Sequence, residues 1–393
     1  MLGQLPSFLV VLLFQFIAVS AYNKISFTNV GFSGSFLNVK KISDPTNDKC
    51  TCELDTSRTY FSGTNAPLSE YLSVHFRGPL TLSKFGFYTS SSFVINNTRS
   101  SADWTRNAYY DSSSQTSQNV TFLTNAGEQS PCLGNALTYL ASNGSGAAGS
   151  SQILEDNNLI ASDKEYAIFS NISCPKSGEK EGCGVYRKDI PAFYGFGGVT
   201  KMFLFEFEMP TETQQNSTSF GYYDMPAIWL LDDHIPRTSQ YPTNSNCSCW
   251  ASGCGEFDIF EVMNSTQLND LYSTFHTFQG TDDLHNGLQA SGSIPRDTSG
   301  VMRGGVVFDS SGNTISFISN STVFDESISA SALNSLLANI ANNDTFSTQL
   351  ASVAAPSSTG TARSNGISAF EKRDGLWISV ISIATAVVHM LLL

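Results

Sequence analysis

The most regular strand pattern in the chain is GVTKMFLFEFEM, residues 198–209. Phe203, Phe205 and Phe207 recur there at every second position, which is the period of a β-strand. Similar short apolar segments follow and precede it: Tyr166–Phe169, Ala227–Leu231, Phe257–Met263, Tyr272–Phe278, Gly305–Phe308 and Thr314–Ile318. Many short strands with frequent turn signals favour a sandwich or barrel over alternating strands and helices. We therefore expect an all-β fold.

The N-terminal part of the chain shows the same alternation, for example in YLSVHF at residues 71–76. Glycine and proline interrupt it, which indicates short strands joined by tight turns. We expect residues 22–90 to form an N-terminal β-rich extension, either as its own module or as added strands of the main domain at residues 91–345. Helical spacing occurs in one stretch, Phe324–Leu350.

Both ends of the chain have the composition of targeting segments. Residues 1–21 contain the apolar run FLVVLLFQFIAV followed by Ser20 and Ala21, which is typical of a secretory signal peptide. Residues 346–366 are rich in Ser, Thr and Ala and are expected to form a stalk. The small residues at 364–366, a polar spacer and the apolar run at 376–393 predict a GPI-attachment signal, with residues 367–393 removed and a lipid tether to the membrane. A C-terminal transmembrane helix is the alternative.

Composition excludes two classes of protein. The 393 residues carry a formal charge of −13, so the chain lacks the positive field that binding to nucleic acid requires. The hydrophobic fraction of 41% is enough for a substantial core, which excludes global disorder.

Cysteines and glycosylation motifs agree with export. The eight cysteines are an even number, which in an oxidising compartment implies disulfide bonds, and Cys174 with Cys183 is the most natural local pair. The spacing of Cys247, Cys249 and Cys254 is also seen in metal sites, but no histidine lies at zinc-ligand distance, so bridged cysteines are preferred. Nine Asn-x-Ser/Thr motifs predict glycosylated surface loops, at Asn96, Asn119, Asn143, Asn171, Asn216, Asn246, Asn264, Asn320 and Asn343.

Three carboxylates fall within the apolar strand GEFDIFE, residues 255–261. Alternation places Glu256 and Asp258 on one face, whereas Glu261 joins them only if an extra residue bulges at positions 259–260. The two glutamate Cα atoms would then lie about 13 Å apart at ~3.3 Å per residue. Because the two glutamate side chains extend toward each other, the distance between their carboxyl groups approaches the ~5–5.5 Å that a retaining glycosidase needs. Asp258 between them can hold one glutamate ionised while the other keeps its proton.

Two other interpretations of these carboxylates are an acidic strand edge facing solvent and a calcium site. The apolar residues between the carboxylates argue for a buried strand, and like charges are seldom buried together without a function.

Glu-x-Asp-x-x-Glu on a strand, preceded by Gly255, resembles the catalytic signature of family-16 glycoside hydrolases. Flanking segments are similar to neighbouring strands of that family: Gly195–Met209, Pro226–Leu231 and Ser273–His276. More narrowly, the chain resembles a fungal group of GPI-anchored cell wall proteins described as endo-β-1,3-glucanases. Their separate N-terminal region is similar to residues 61–63 and 72–80.

The resemblance implies a fold and a set of catalytic roles. The fold is a concanavalin-like jelly-roll sandwich whose concave face holds the glycan. Glu256 would be the nucleophile, Asp258 its electrostatic helper and Glu261 the acid/base.

Three further residues are candidates for substrate binding. Trp250, beside the signature, and Trp229 could stack on sugar rings, and for Trp229 core packing is an equal alternative. His276 could hydrogen-bond the substrate or a catalytic carboxylate, or serve a purely structural role.

These observations predict a secreted, monomeric retaining endo-β-1,3-glucanase whose partner is cell wall β-glucan. The alternatives are a glucan transglycosylase and a non-catalytic glucan-binding wall protein. No metal or cofactor is predicted, because the sequence Asp232-Asp233-His234 is more typical of a turn cap than of a metal site. Gly-x-Ser-x-Gly and His-Glu-x-x-His motifs are absent from the sequence.

Overall fold

The computed structural model describes residues 23–178, 182–216, 220–340 and 345–351. The predicted signal peptide at residues 1–21, positions 352–366 of the predicted stalk and the predicted tail at residues 367–393 lie outside the described residues. Within the described ranges, no helix is both long enough and apolar enough to cross a membrane.

The described chain is built mainly from short strands, as the sequence predicts. The strands are β1 Lys24–Thr28, β2 Gly34–Ser43, β3 Thr51–Phe61, β4 Leu72–Arg77, β5 Thr81–Thr89, β6 Trp104–Asp111, β7 Thr116–Gln118, β8 Val120–Thr124, β9 Gln129–Ser130, β10 Gly134–Asn135, β11 Thr138–Leu140, β12 Ala147–Ala148, β13 Glu165–Ser170, β14 Lys201–Glu208, β15 Ala227–Asp232, β16 Glu256–Glu261, β17 Asp270–His276, β18 Leu288–Gln289, β19 Ile294–Pro295, β20 Met302–Phe308, β21 Thr314–Ile318, β22 Ser327–Ile328 and β23 Thr345–Gln349. Two α-helices, α1 His234–Thr238 and α2 Ala330–Ala338, and two 3₁₀ turns, Ser245–Cys247 and Trp250–Ser252, complete the set.

Two large sheets contain most of these strands. The first sheet runs in the order β22-β6-β5-β14-β20-β21-β1-β23, and β7 pairs with β6. The second runs in the order β12-β11-β8-β13-β4-β15-β16-β17-β18, and β19 pairs with β17. One apolar core takes side chains from both sheets, so they pack face to face. The predicted all-β sandwich is confirmed.

Alternation along the strands decides which side chains enter this core. In the first sheet, Phe203, Phe205 and Phe207 of β14 point into it, and in the second sheet Ile228 and Leu230 of β15 do so. Burying one such side chain completely contributes roughly 1.5–3 kcal/mol. Trp229, the residue between Ile228 and Leu230, therefore faces the other side of the second sheet, which we call the outer face.

The N-terminal region contributes strands to both sheets. β4 lies between β13 and β15 in the second sheet, and β5 lies between β6 and β14 in the first. Of the two possibilities that the sequence leaves open for residues 22–90, the topology therefore supports added strands of the sandwich. Among the described strands, β2 and β3 pair only with each other. Phe36 and Phe61 of this hairpin join a cluster on the outer face of the second sheet that includes Trp229 and Leu231.

A helix is predicted over Phe324–Leu350, and the structure has one only in the middle of this stretch, at Ala330–Ala338. Helix α2 begins after Ser329, whose Oγ accepts a hydrogen bond from the Ala332 N–H at 3.1 Å. Leu333 and Leu337 of this helix pack on the first sheet. The last residues of the stretch form β23 instead, because they pair in parallel with β1, more than 300 residues earlier.

The eight cysteines form four disulfide bonds, and Cys174–Cys183 confirms the predicted local pair. Two of the other bonds join the β2–β3 hairpin to distant loops, Cys50–Cys132 and Cys52–Cys247. The fourth, Cys249–Cys254, closes a short loop directly before β16. Because all of these thiols are bonded, the metal interpretation of Cys247, Cys249 and Cys254 is excluded.

Candidate active site

A bulge in β16 brings its three carboxylates to one face. Against β17, Asp258 pairs with Thr274 and Glu261 with Tyr272, so β16 uses one residue more than its partner over this interval. The pairing of β16 with β15 shifts at the same place. The predicted bulge at Ile259-Phe260 is confirmed, and both of these residues enter the sandwich core, which leaves Glu261 on the outer face with Glu256 and Asp258.

The strand register shows which side chains surround the carboxylates, because directly paired residues share a face. One row crosses four strands and consists of Glu165, Arg77, Ala227 and Glu261. The next row consists of Ala167, His75, Trp229, Asp258 and Thr274. The third consists of Ser73, Leu231, Glu256 and His276.

Glu256 is half-buried and contacts the predicted substrate-binding residue Trp250, whose Nε1 donates a hydrogen bond to Glu256 Oε2. Burial raises the pKa of Glu256; the charge of His276 and the Trp250 hydrogen bond oppose this rise, and the Glu261 carboxylate adds to it. Trp250 is held in place by its position between Cys249 and Cys254. The Cys249–Cys254 loop thus holds a hydrogen-bond donor, Trp250 Nε1, against Glu256.

Asp258 is 4% exposed and pairs with His276, the third predicted binding residue. His276 Nε2 lies 2.8 Å from Asp258 Oδ2, and its Nδ1 donates to the Leu284 carbonyl at 2.6 Å. Burial lowers the pKa of His276, but the Asp258 carboxylate outweighs it and raises that pKa to about 10. His276 therefore serves Asp258, which is the carboxylate-binding role among its predicted alternatives.

This pair predicts a pH dependence of stability. A histidine whose pKa rises from 6.5 to about 10 on folding adds stability that is fully present below pH 6.5 and is lost as the pH rises toward 10. We expect His276→Gln to reduce the fall in unfolding free energy between pH 6 and pH 10. Denaturant titrations at several pH values measure the unfolding free energy, and His285→Gln, at an exposed histidine, is the control. Equal slopes for wild type and His276→Gln would contradict the assignment.

Glu261 is 18% exposed in its side chain and forms an ion pair with Arg77, with 2.9 Å between Oε1 and Nη2. Arg77 is fixed by a second hydrogen bond, from its Nε to the Met225 carbonyl at 2.7 Å. Its guanidinium carbon also lies 4.7 Å from the centre of the Tyr222 ring. The sequence prediction did not include Arg77 as a site residue. The sequence feature that could have indicated Arg77 is its position as a basic residue at the end of the mainly apolar stretch LSVHFR, residues 72–77.

Trp229 lies on the same face as the carboxylates but does not present a ring to solvent. It is 4% exposed, and its ring centroid lies 5.3 Å from that of His75 on the neighbouring strand. This burial favours the core-packing alternative for Trp229 over sugar stacking. Trp229 and His75 form the floor beneath Asp258.

Asp232, Asp233 and His234 lie close enough together to hold a metal ion. Each is already engaged: Asp232 Oδ1 lies 2.8 Å from His234 Nδ1, and Asp233 pairs with Arg237 and accepts from the Gly195 N–H. These contacts support the structural interpretation that the sequence favours.

Comparison with known proteins identifies relatives over nearly the whole chain. The family described as "Cell wall protein YJL171C/Tos1, C-terminal" matches residues 102–336, and "Cell wall protein YJL171C/Tos1, N-terminal" matches residues 23–90. Neither description names the family-16 glycoside hydrolases, so that wider resemblance stays a prediction. No solved structure matches significantly.

Three curated relatives share the name "Probable circularly permuted 1,3-beta-glucanase". YJL171C of Saccharomyces cerevisiae is 61% identical over 374 residues, covering 95% of this chain and 94% of the relative. PGA52 of Candida albicans is 55% identical over 342 residues, covering 87% and 88%. TOS1 of S. cerevisiae is 41% identical over 235 residues, covering 58% and 48%. The chain belongs to the YJL171C/Tos1 family of cell wall proteins.

Proposed function

We propose that this chain is a retaining endo-β-1,3-glucanase that cleaves cell wall glucan. The observation that carries the proposal is the bulge in β16, which places Glu256, Asp258 and Glu261 together on the outer face. The printed names of the relatives support glucan as the substrate. The predicted signal and tail segments support export and GPI anchoring, and membership of a cell wall family agrees with export.

In the first step, a Glu256 carboxylate oxygen bonds to the anomeric carbon while the bond to the leaving sugar breaks. Glu261 gives its proton to the leaving oxygen. The Trp250 hydrogen bond and the positive charge of His276 both favour the ionised form of Glu256, as a nucleophile requires. Asp258 holds His276 in position for this purpose.

In the second step, water attacks the same carbon, its proton passes to Glu261, and Glu256 is released. Arg77 supports this step by holding the Glu261 side chain in position through their ion pair.

Incubation of the secreted protein with β-1,3-glucan oligosaccharides tests the proposal. Hydrolysis predicts only products shorter than the substrate. Longer products would instead support the transglycosylase alternative, in which an acceptor sugar replaces water. Absence of any product, with intact folding, would support a non-catalytic glucan-binding protein.

Opening the Cys249–Cys254 loop should weaken catalysis, because Trp250 would no longer be held in hydrogen-bonding position against Glu256. We expect Cys249→Ser with Cys254→Ser to lower kcat/KM for glucan about tenfold, the scale of one charge-assisted hydrogen bond. Steady-state kinetics measure the loss. The matched control is Cys174→Ser with Cys183→Ser, which opens the other local loop and leaves Trp250 in place. Equal activity in the two double variants would contradict the role of the loop.

A further inference from the structure

Two exposed tyrosines lie beside the charged row that contains Glu261. Among the side chains that the structure describes, the large hydrophobic ones that are exposed are Leu159, Tyr222, Tyr241, Val301 and Val323. Only Tyr222 and Tyr241 of these are aromatic, with 53% and 58% of their surface exposed. Exposed aromatic rings clustered at one place indicate a binding surface.

Tyr222 is fixed by its contact with Arg77. The guanidinium carbon lies 4.7 Å from the ring centre, and the same guanidinium binds Glu261 at 2.9 Å. Arg77 thus lies between the Tyr222 ring and Glu261, the predicted acid/base. The Tyr222 side chain remains more than half exposed. Its position is held without its outer surface being covered.

Tyr241 is fixed by Glu165, on the strand next to Arg77. The Tyr241 hydroxyl lies 3.3 Å and 3.4 Å from the two Glu165 carboxylate oxygens. The segment around Tyr241 is anchored to a neighbouring loop, because Ser239 and Thr243 donate hydrogen bonds to the Leu133 and Pro131 carbonyls at 2.5 Å and 2.6 Å. The residues on both sides of Tyr241 are therefore held to this loop.

Tyr222 and Tyr241 contact the row that contains Glu261, whereas Trp250 contacts Glu256, which lies two rows away. Sugar rings have apolar faces that pack on aromatic rings, and their hydroxyls hydrogen-bond carboxylates. We propose that Tyr222 and Tyr241, together with the Arg77 and Glu165 side chains that they contact, form a subsite for the sugars on the leaving-group side of a β-1,3-glucan. The proposal rests on the proposed function, since the leaving side is defined by Glu261 acting as the acid.

Cleavage of two substrates by the full secreted chain tests the subsite. A six-unit β-1,3-glucan oligosaccharide places sugars on both sides of the cleaved bond, whereas β-laminaribiosyl fluoride places none on the leaving side. We expect Tyr222→Ala and Tyr241→Ala each to lower kcat/KM for the six-unit substrate about tenfold, and to leave that for the fluoride within about twofold. Tyr222→Phe, which keeps the ring, should match wild type on both substrates.

The control substitution is Val323→Ala, which shortens an exposed apolar side chain four residues before β22 of the first sheet and should leave both cleavage rates unchanged. Unchanged cleavage of the six-unit substrate by both alanine variants would overturn the subsite while leaving the proposed function intact. An equal loss on both substrates would also overturn it, because it would show an effect on the fold or on the chemistry. Failure of wild type to cleave either substrate would overturn the proposed function itself.

Discussion

Replacing Glu256 with glutamine is expected to lower glucan cleavage by about 10⁴-fold or more, because an amide cannot form the bond to the anomeric carbon. The substitution preserves shape, and the remaining oxygen can still accept from Trp250 Nε1. We therefore expect an unchanged unfolding midpoint. Release of reducing ends from β-1,3-glucan measures the activity.

The matched control is Glu53→Gln, which removes one charge from an exposed glutamate on the β2–β3 hairpin. This variant should retain full activity. A covalent adduct gives an independent readout: a 2-fluoro glucoside should add one sugar mass to wild type, on the peptide containing Glu256. Full activity in Glu256→Gln, or an adduct on a different residue, would remove Glu256 from the nucleophile role.

Replacing Phe257 with alanine is expected to destabilise the protein by about 3–5 kcal/mol, the cost of removing a fully buried phenylalanine. Phe257 is completely buried, and its ring centroid lies 4.3 Å from that of Phe275, 5.8 Å from Phe308 and 6.0 Å from Phe27. These partners come from both sheets. The contacts that Phe257→Ala removes are therefore ones that connect the carboxylate-bearing strand β16 to the opposite sheet of the sandwich.

Guanidinium titration with the disulfides intact measures this change. Phe257→Leu serves as the comparison, because it retains most of the apolar volume and should cost less than half as much. A loss of under 1 kcal/mol for Phe257→Ala would show that the core relaxes around the missing ring.

Local patterns predicted the sheets and the bulge well. The strand expected at residues 198–209 is β14, Lys201–Glu208, because its phenylalanines alternate into one core. The bulge was predicted as the condition for Glu256 and Glu261 to share a face, since five residues along a regular strand leave the two on opposite faces. Both features depend on residues that are neighbours in the sequence.

Features that depend on register between distant strands were not predictable in this way. Arg77 contacts Glu261, and Glu165 shares a row with both, only because β13, β4, β15 and β16 are neighbours in one sheet. The predicted helix after Phe324 ends early for the same reason, since β1 recruits its last residues as β23. Trp229 has the right alternation for the site, but His75, from another strand, covers its ring.

The Cys52–Cys247 bond has a consequence for a protein exposed to extracellular proteases. It joins positions 195 residues apart, so one backbone cut anywhere between them leaves two fragments that remain covalently attached. Such a nicked molecule would migrate as one species until a reductant is added. The fragment that carries β16 would stay linked to the N-terminal hairpin after cleavage.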